Sequence, residues 1–311
     1  MAAFRKEEAY GLRIKRSAGD KAYDTFNVLF MLCLAFVTVY PFWYILVYSF
    51  NEGRDAAMGG LWFWPRKWTL QNYKYVLGNP YITNAFLVTI ARTVIGSIIH
   101  MVVTGFAAYT LMKKDLPGRK AIVYFYMMPM FIGGTLVSSY LVNAKLGLLN
   151  NFFVYIIPGA FSFFMMLVIR TFFEGIPESL EESAMLDGAG YYTIFFRIYL
   201  PLSGPIIAAT VFFSAVGHWL DYYTNLLYVS DKHLYTLQYV LYKVVVASET
   251  SDMYRELQES GRLLTLTSEQ QVTTQGLKMA TLVIVTFPVL FVYPFFQKYF
   301  TKGVLVGAVK A

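Results

Sequence analysis

The chain has 311 residues, of which 57% are hydrophobic and 14% are charged, and its formal net charge is +7. Its mean hydropathy is +0.49. Soluble globular domains are about 45–50% apolar and about 25% charged, so this composition argues against a soluble protein and indicates a membrane protein. The positive residues are dispersed among apolar segments, which argues against a basic patch that binds nucleic acid.

Apolar stretches long enough to cross a bilayer recur along the chain, since a membrane-crossing helix needs about 20 predominantly apolar residues. The sequence predicts an all-α membrane protein with six transmembrane helices, and no internal repeat is visible. In chain order, the predicted spans are 26–48, 84–112, 121–142, 149–172, 205–229 and 277–300.

Lys and Arg residues cluster in segments between or beside these spans. Six of them lie within residues 1–25, and four follow the second span: Lys113, Lys114, Arg119 and Lys120. Because Lys and Arg near span ends favour the cytoplasmic side, we expect both termini in the cytoplasm. The predicted organisation is a cytoplasmic segment at 1–25, a transmembrane domain at 26–300 and a cytoplasmic tail at 301–311. The two long outer segments are then 49–83 and 230–276.

A polar segment at 174–204 separates the fourth and fifth predicted spans; we call it the coupling segment below. Its acids occur close together in an otherwise apolar region: Glu174, Glu178, Glu181, Glu182 and Asp187. Pro177 suits the first turn of a helix, and acidic residues suit its N-terminal end. Gly188 and Gly190 can end that helix, and a second short helix is predicted at 191–201. The pattern predicts a helix-turn-helix on the membrane surface.

The spacing of residues in this segment resembles the EAA motif of permease subunits of binding-protein-dependent ABC importers. The matching positions are Glu182, Ser183, Ala184, Gly188, Ile198, Leu200 and Pro201, with Ser183 in place of the usual Ala. The resemblance implies a type I ABC importer permease fold in which this segment is a cytoplasmic coupling helix that docks on an ATPase. It assigns ATPase coupling to the same residues and to Asp187. An amphipathic connector that merely lies on the membrane is the alternative interpretation.

The resemblance extends over most of the chain. The patterns at 65–73, 277–281, 293–300 and 303–310 are similar to those of carbohydrate-type permeases of the maltose and lipo-oligosaccharide kind. It implies a bacterial plasma-membrane protein that imports an oligosaccharide together with a second, similar permease, an ATPase dimer and an extracellular solute-binding protein. It also implies that the outer segments meet the binding protein. The tail residues Gly307 and Lys310 would reach between the ATPase subunits.

The fifth predicted span contains polar and aromatic residues that could line a translocation path. Ionisable groups at membrane depth are energetically unfavourable, so their presence suggests a function. Aromatic rings can stack on the apolar faces of sugars. The candidates are His218, Trp219, Asp221, Tyr222, Tyr223 and Asn225. The alternative is that Asp221 and Asn225 lie near the outer surface and that His218 bonds a neighbouring helix. Arg92 and Lys278 are predicted to snorkel to the membrane interface.

Catalytic and metal-binding motifs are absent from the sequence. There is no Gly-x-x-x-x-Gly-Lys-[Ser/Thr] loop, and His100, His218 and His233 are scattered without metal-ligand spacing. We therefore expect no enzymatic activity and no bound cofactor in this chain, with ATP and Mg²⁺ held by the partner ATPase. An ion-coupled secondary sugar carrier is the alternative function, but it predicts inverted repeats and buried acids that the sequence does not show. An integral-membrane enzyme would need a catalytic cluster.

Overall fold

The computed structural model describes residues 17–246 and 273–308, and within these ranges the regular structure is helical. One isolated antiparallel bridge joins Asn51 to Trp68. The helices in chain order are α1 Ala18–Ser49, α2 Gly53–Ala57, α3 Gln71–Leu77, α4 Pro80–Met112, α5 Arg119–Ile132, α6 Leu136–Lys145, α7 Phe163–Phe173, α8 Glu178–Leu186, α9 Tyr191–Leu202, α10 Gly204–Leu220, α11 Tyr223–Tyr228, α12 Leu237–Val246 and α13 Thr274–Ala308.

Three of the described helices are long and apolar enough to cross a membrane. They are α1, α4 and the stretch Gln275–Gln297 of α13. These helices confirm the first, second and sixth predicted spans. Helices α9 and α10 add a fourth crossing if they are counted together across the 89° bend between them.

The third and fourth predicted spans are not continuous helices, so the count of six is not confirmed. Residues 121–142 divide between α5 and α6 because Gly133 takes a left-handed φ of 67° and Thr135 caps the start of α6. Residues 149–172 form a short 3₁₀ turn at Phe152–Tyr155 and become α-helical only from Phe163. Pro158 and Gly159 lie in the irregular stretch between these two elements. The fifth predicted span ends as a helix at Leu220 rather than 229.

Helix α4 is the centre of the fold, and it packs against α7 and α10. Its 33 residues make it about 50 Å long, at about 1.5 Å per residue. One apolar cluster surrounds its N-terminal part, where Ile82 and Ala85 meet Leu237 and Val285. A second cluster surrounds its C-terminal part, around Tyr109. α4 therefore connects the two ends of the helical bundle, and α13 closes the side by packing on α1 and α10.

Large apolar side chains cover the outer faces of α1 and α5. The most apolar window of α1 is 0% buried within this chain, and on α5 the side chains of Phe125 and Phe131 are 69% and 78% exposed. Contiguous apolar surface of this kind is unsuited to water. These faces are suited to lipid or to a second membrane protein.

Candidate functional site

The first half of the coupling segment folds as a helix that ends at a glycine. Pro177 immediately precedes α8, and Glu178 and Glu181 occupy its first turn. After α8, Gly188 takes a φ of 82°, and its N–H donates to the Met185 carbonyl at 3.0 Å. A left-handed residue after the last helical turn is the usual way to satisfy free carbonyls. The predicted helix and its glycine stop are therefore present.

The second half is α9, which begins at Tyr191 as predicted and contains a π turn at Phe195–Tyr199. The extra residue of a π turn shifts the side chains that follow it around the helix. Phe195 and Tyr199 are both buried, with exposures of 0% and 1%. The bend of 89° then separates α9 from α10, so α9 lies across the end of the bundle while α10 runs along it.

Glu181 is the residue that fastens α8 to the rest of the molecule. It is only 6% exposed. Its Oε1 accepts a hydrogen bond from the Tyr109 hydroxyl at 2.9 Å, and its Oε2 accepts one from the Tyr199 hydroxyl at 2.8 Å. Lys113 Nζ also donates to Oε1, and this ammonium lies 4.6 Å from the centre of the Tyr109 ring. The sequence indicated Glu181 only as one of several acids. The signal that could have identified it is its spacing of three residues from Ala184, which places both on the same face of α8.

The Glu181 carboxyl is ionised in this environment. Burial raises its pKa, but hydrogen bonds from Lys113, Tyr199 and Tyr109 outweigh burial and hold the pKa below the ordinary value of 4.5. The carboxylate and the Lys113 ammonium therefore form a charge-assisted pair at neutral pH.

The residues that match the EAA motif, together with Asp187, divide into an exposed group and a packed group. Glu182, Ser183, Asp187 and Pro201 are exposed, and the space around Gly188 is open. Three packed residues face the apolar cluster around Tyr109: Ala184, Ile198 and Leu200. The sequence did not single out the two large apolar side chains that project beside the exposed group, Leu186 at 90% and Tyr192 at 75% exposure.

A charged cleft of about 730 Å³ lies beside α8, between the residues that follow α4 and those that follow α7. Lys114 pairs with Glu178 at 3.7 Å, and Glu174 pairs with Arg170 at 2.9 Å and with Arg119 at 3.7 Å. The basic cluster after α4 and the acids of the coupling segment therefore lie at the same end of the molecule.

Two of the path candidates lie inside the fold. Trp219 is 8% exposed, and its Nε1 donates to the Val285 carbonyl at 3.0 Å. Asn225 is fully buried, and its Oδ1 accepts a hydrogen bond from the Thr236 N–H at 2.8 Å. Their polar groups therefore have partners within the chain: Trp219 joins α10 to α13, and Asn225 joins α11 to Thr236, the residue before α12. A path role for these two residues stays a prediction.

Asp221 pairs with Arg92, which corrects the prediction that Arg92 snorkels. Arg92 is 2% exposed, and its Nη2 donates to Asp221 Oδ2 at 2.6 Å. The same guanidinium donates to the Asp221 carbonyl at 3.0 Å and lies 4.5 Å from the centre of the Tyr155 ring. A buried arginine with this set of partners joins α4 to the residue that ends α10.

The remaining path candidates differ in how open they are. His218 packs against Gly96 so closely that a Cβ on that glycine would lie 2.5 Å from His218 Nε2. Tyr222 and Tyr223 are 40% and 48% exposed, and Tyr222 stacks on Tyr242 with ring centres 4.9 Å apart. The two tyrosines are thus the candidates with the most accessible surface.

Of the two predicted tail residues, Gly307 lies in the described part of the chain and Lys310 does not. Gly307 falls within the backbone of α13, which runs to Ala308, and Lys310 lies outside the described residues. Most of the second long outer segment, 247–272, lies outside them too. Among the residues that the structure describes, no three His, Cys, Asp or Glu side chains are grouped so that they could hold a metal ion.

Comparisons with known proteins agree with this architecture. The chain is 36% identical over 290 residues to Protein LplC of Bacillus subtilis, covering 93% of this chain and 95% of that protein. It is 35% identical over 291 residues to the polygalacturonan/rhamnogalacturonan transport system permease protein YtcP of the same organism, covering 94% and 99%. Its structure is similar to one chain of a bacterial ABC transporter involved in the import of the acidic polysaccharide alginate, with a TM-score of 0.82, 26% identity and coverage of 92% and 99%. Residues 10–306 match the family described as binding-protein-dependent transport system inner membrane component. The chain therefore belongs to that family of ABC transporter permeases.

Proposed function

We propose that this chain is a transmembrane permease subunit of an ABC importer for oligosaccharides. It forms the translocation path with a second, similar permease. An ATPase dimer docks on the coupling segment from the cytoplasm, and an extracellular solute-binding protein delivers the sugar at the opposite end. ATP and Mg²⁺ are held by the ATPase, and both termini of this chain lie on the cytoplasmic side.

The observation that carries this proposal is the shape of the coupling segment. Leu186 and Tyr192 project from it beside the exposed motif residues Glu182 and Ser183, although its inner face is fixed to the bundle. Exposed aromatic and aliphatic side chains next to charged residues are typical of protein-binding surfaces. A connector that only lay on a membrane would not need the shielded Lys113–Glu181 pair to hold it in place.

An oligosaccharide substrate is supported by the relatives. Besides the polygalacturonan/rhamnogalacturonan permease of Bacillus subtilis, the chain is 25% identical over 288 residues to the arabinooligosaccharides transport system permease protein AraQ of Halalkalibacterium halodurans. Tyr222 and Tyr223 supply accessible aromatic surface at the end of α10, where sugar rings could stack.

In the proposed mechanism, ATP binding closes the ATPase dimer and draws the coupling segments of the two permeases together. Because α9 continues into α10 through a single bend, displacement of α9 moves α10. The helices then exchange an inward-open for an outward-open arrangement, and ATP acts by binding one arrangement more tightly than the other.

Purification of a tagged chain from its native membrane tests the proposal. We expect a second permease and an ATPase to co-purify, and we expect the complex in proteoliposomes to take up an oligosaccharide only with ATP and a binding protein. Uptake driven by a proton or sodium gradient without ATP would instead establish the ion-coupled carrier.

A further inference from the structure

We propose that Glu181 is the positioning residue that transmits movement of the coupling segment to α4, through Tyr109, Lys113 and Tyr199. The inference rests on the proposed function, since it concerns how ATPase movement reaches the membrane helices. Glu181 itself does not face the ATPase in this arrangement, because it points into the bundle and is 6% exposed.

The geometry around Glu181 joins three parts of the chain at one carboxylate. Tyr109 lies in the last turn of α4 and Lys113 directly follows α4, whereas Tyr199 lies in the π turn of α9. The two tyrosine hydroxyls donate to different oxygens of Glu181, and Lys113 adds a charged hydrogen bond. α8 therefore cannot move relative to α4 without breaking hydrogen bonds in a site largely closed to water, where they are stronger than at the surface.

The other ion pairs at this end of the molecule cannot perform the same task. The side chains of Lys114 and Glu178 are 85% and 80% exposed, and that of Glu174, which Arg119 and Arg170 share, is 43% exposed. Exposed pairs are worth about 0–1 kcal/mol and are screened by salt. In the described part of the chain, the Lys113–Glu181 pair is the shielded connection between the coupling segment and the end of α4, with side-chain exposures of 24% and 7%.

Aromatic packing makes the receiving side of this contact rigid. The rings of Tyr109 and Tyr199 lie 4.9 Å apart, Phe173 of α7 lies 5.3 Å from Tyr199, and Phe195 stacks on Phe106 at 4.1 Å. Close-packed interiors transmit displacement because they do not compress. A force on α8 is therefore passed to α4, α7 and α9 together.

The chemistry of the site makes a carboxylate at this position hard to replace. Gln replaces one carboxylate oxygen with an NH₂ group that carries two N–H donors, so it cannot accept from the two tyrosine hydroxyls on separate oxygens, and it has no negative charge to pair with Lys113. Asp is one methylene shorter and cannot reach the same three donors without a shift of α8. Glu181→Gln therefore removes the charge-assisted pair and one acceptor oxygen while preserving the size of the side chain.

The test uses the assembled transporter and compares sugar transported with ATP hydrolysed. In proteoliposomes, we expect the Glu181→Gln complex to retain its ATPase subunits and to hydrolyse ATP, but to transport about tenfold less sugar per ATP than the unmodified complex, which corresponds to about 1.4 kcal/mol of lost coupling. Lys114→Gln is the control, since it breaks the exposed Lys114–Glu178 pair at the same end of the molecule without changing a residue of the coupling segment, and it should leave the ratio unchanged. Tyr199→Phe, which removes one hydroxyl only, should lower the ratio less.

Two results would overturn the inference. A normal transport-to-hydrolysis ratio in Glu181→Gln would show that the contact carries no movement. Loss of the ATPase subunits from both Glu181→Gln and Tyr199→Phe would show that these residues serve docking rather than transmission. Failure of the unmodified complex to couple sugar uptake to ATP would instead contradict the proposed function and is detected separately in the same experiment.

Discussion

One basic residue within α4 and one directly after it each form an ion pair with an acidic side chain on another element. Arg92 pairs with Asp221 where α10 ends, and Lys113 pairs with Glu181 in α8. A charge removed from water is expensive unless it is paired and hydrogen-bonded, so each pair fixes which elements can lie side by side. The main effect of these pairs is to specify which helices pack together, rather than to raise the free energy of unfolding.

Removal of Arg92 should destabilise the protein strongly. Truncating one member of a buried pair costs about 3–5 kcal/mol because the remaining charge is left without a partner, and the partial exposure of Asp221, 27% for its side chain, places Arg92→Ala at the lower end of that range. Lys114→Ala, at the exposed pair with Glu178, should cost about 0–1 kcal/mol. Thermal unfolding in detergent measures both. Equal stability of the two variants would contradict the structural role of Arg92.

Gly188 and Gly190 should respond differently to the same substitution. Gly188 has a φ of 82°, where a β-branched side chain costs about 1–3 kcal/mol of backbone strain. Gly190 has a φ of −77° and open space around it, so it can accept a side chain. We expect Gly188→Val to weaken ATPase association and transport while membrane insertion stays normal. We expect Gly190→Val to retain both ATPase association and transport. Measurement of co-purified ATPase and sugar uptake checks this, and a reversed order would refute the assigned turn.

For individual residues, the sequence predicted where the coupling segment lies better than it predicted which side chains form hydrogen bonds with each other. The motif spacing located the segment that carries the exposed residues Glu182 and Ser183, since spacing along a helix can be counted from the chain. It did not distinguish Glu181 from Glu182, because which acid is buried depends on the tyrosines that α4 and α9 bring to it. For the same reason it did not reveal the hydrogen-bond partners that Trp219 and Asn225, two predicted path residues, have within the fold.

Among the elements, the coupling segment is the one that local sequence determines most completely. Proline before α8, acids in its first turn and glycine after it all favour the same helix-turn-helix. The sequence did not predict the helix breaks inside apolar stretches. Hydropathy contains no information on backbone conformation, such as the positive φ of Gly133 that separates α5 from α6. The π turn of α9 depends on the packing of Phe195 and Tyr199 against distant parts of the chain, so the local sequence does not predict it.

The attachment of α8 should weaken in acid. Hydrogen bonds from Lys113 and the two tyrosines hold the pKa of Glu181 below 4.5, against the opposing effect of burial. A group with a lowered pKa contributes stability that is present above its ordinary pKa and is lost as the pH falls through the lowered value. The stability difference between the unmodified protein and Glu181→Gln should therefore be constant near neutral pH and shrink below about pH 4.5. A difference that grew on acidification would contradict the ionised state.

For the whole molecule, α4 is the helix that connects the two ends of the bundle. Its C-terminal end meets the coupling segment through Tyr109, and near its N-terminal end Asn84 donates to the His233 carbonyl at 2.7 Å. One apolar cluster surrounds its N-terminal part and a second surrounds its C-terminal part. A displacement at one end can therefore reach the other along a single helix. Overall composition predicted the class of protein, but this arrangement depends on contacts between distant parts of the chain.

The two ends should lie on opposite sides of the membrane. Cysteines introduced singly at Ser183 and Lys232, which are both exposed, report the two ends. The single native cysteine, Cys33, is exposed and must first be replaced by Ser. In intact cells an impermeant thiol reagent should label Lys232→Cys and should not label Ser183→Cys until the membrane is opened. Labelling at Ser183 in sealed cells would refute a cytoplasmic coupling segment.

The central claim is that the exposed face of the coupling segment binds an ATPase, and site-specific cross-linking tests it most directly. In the Cys33→Ser background, a thiol cross-linker attached at Leu186→Cys should join the chain to the ATPase subunit, and nucleotide should change the yield. The matched control is Met58→Cys, an equally simple replacement of an apolar side chain that is 82% exposed near the opposite end; it should give no such product. The claim is contradicted if Leu186→Cys yields no ATPase adduct in an active complex, or if Met58→Cys yields the same adduct.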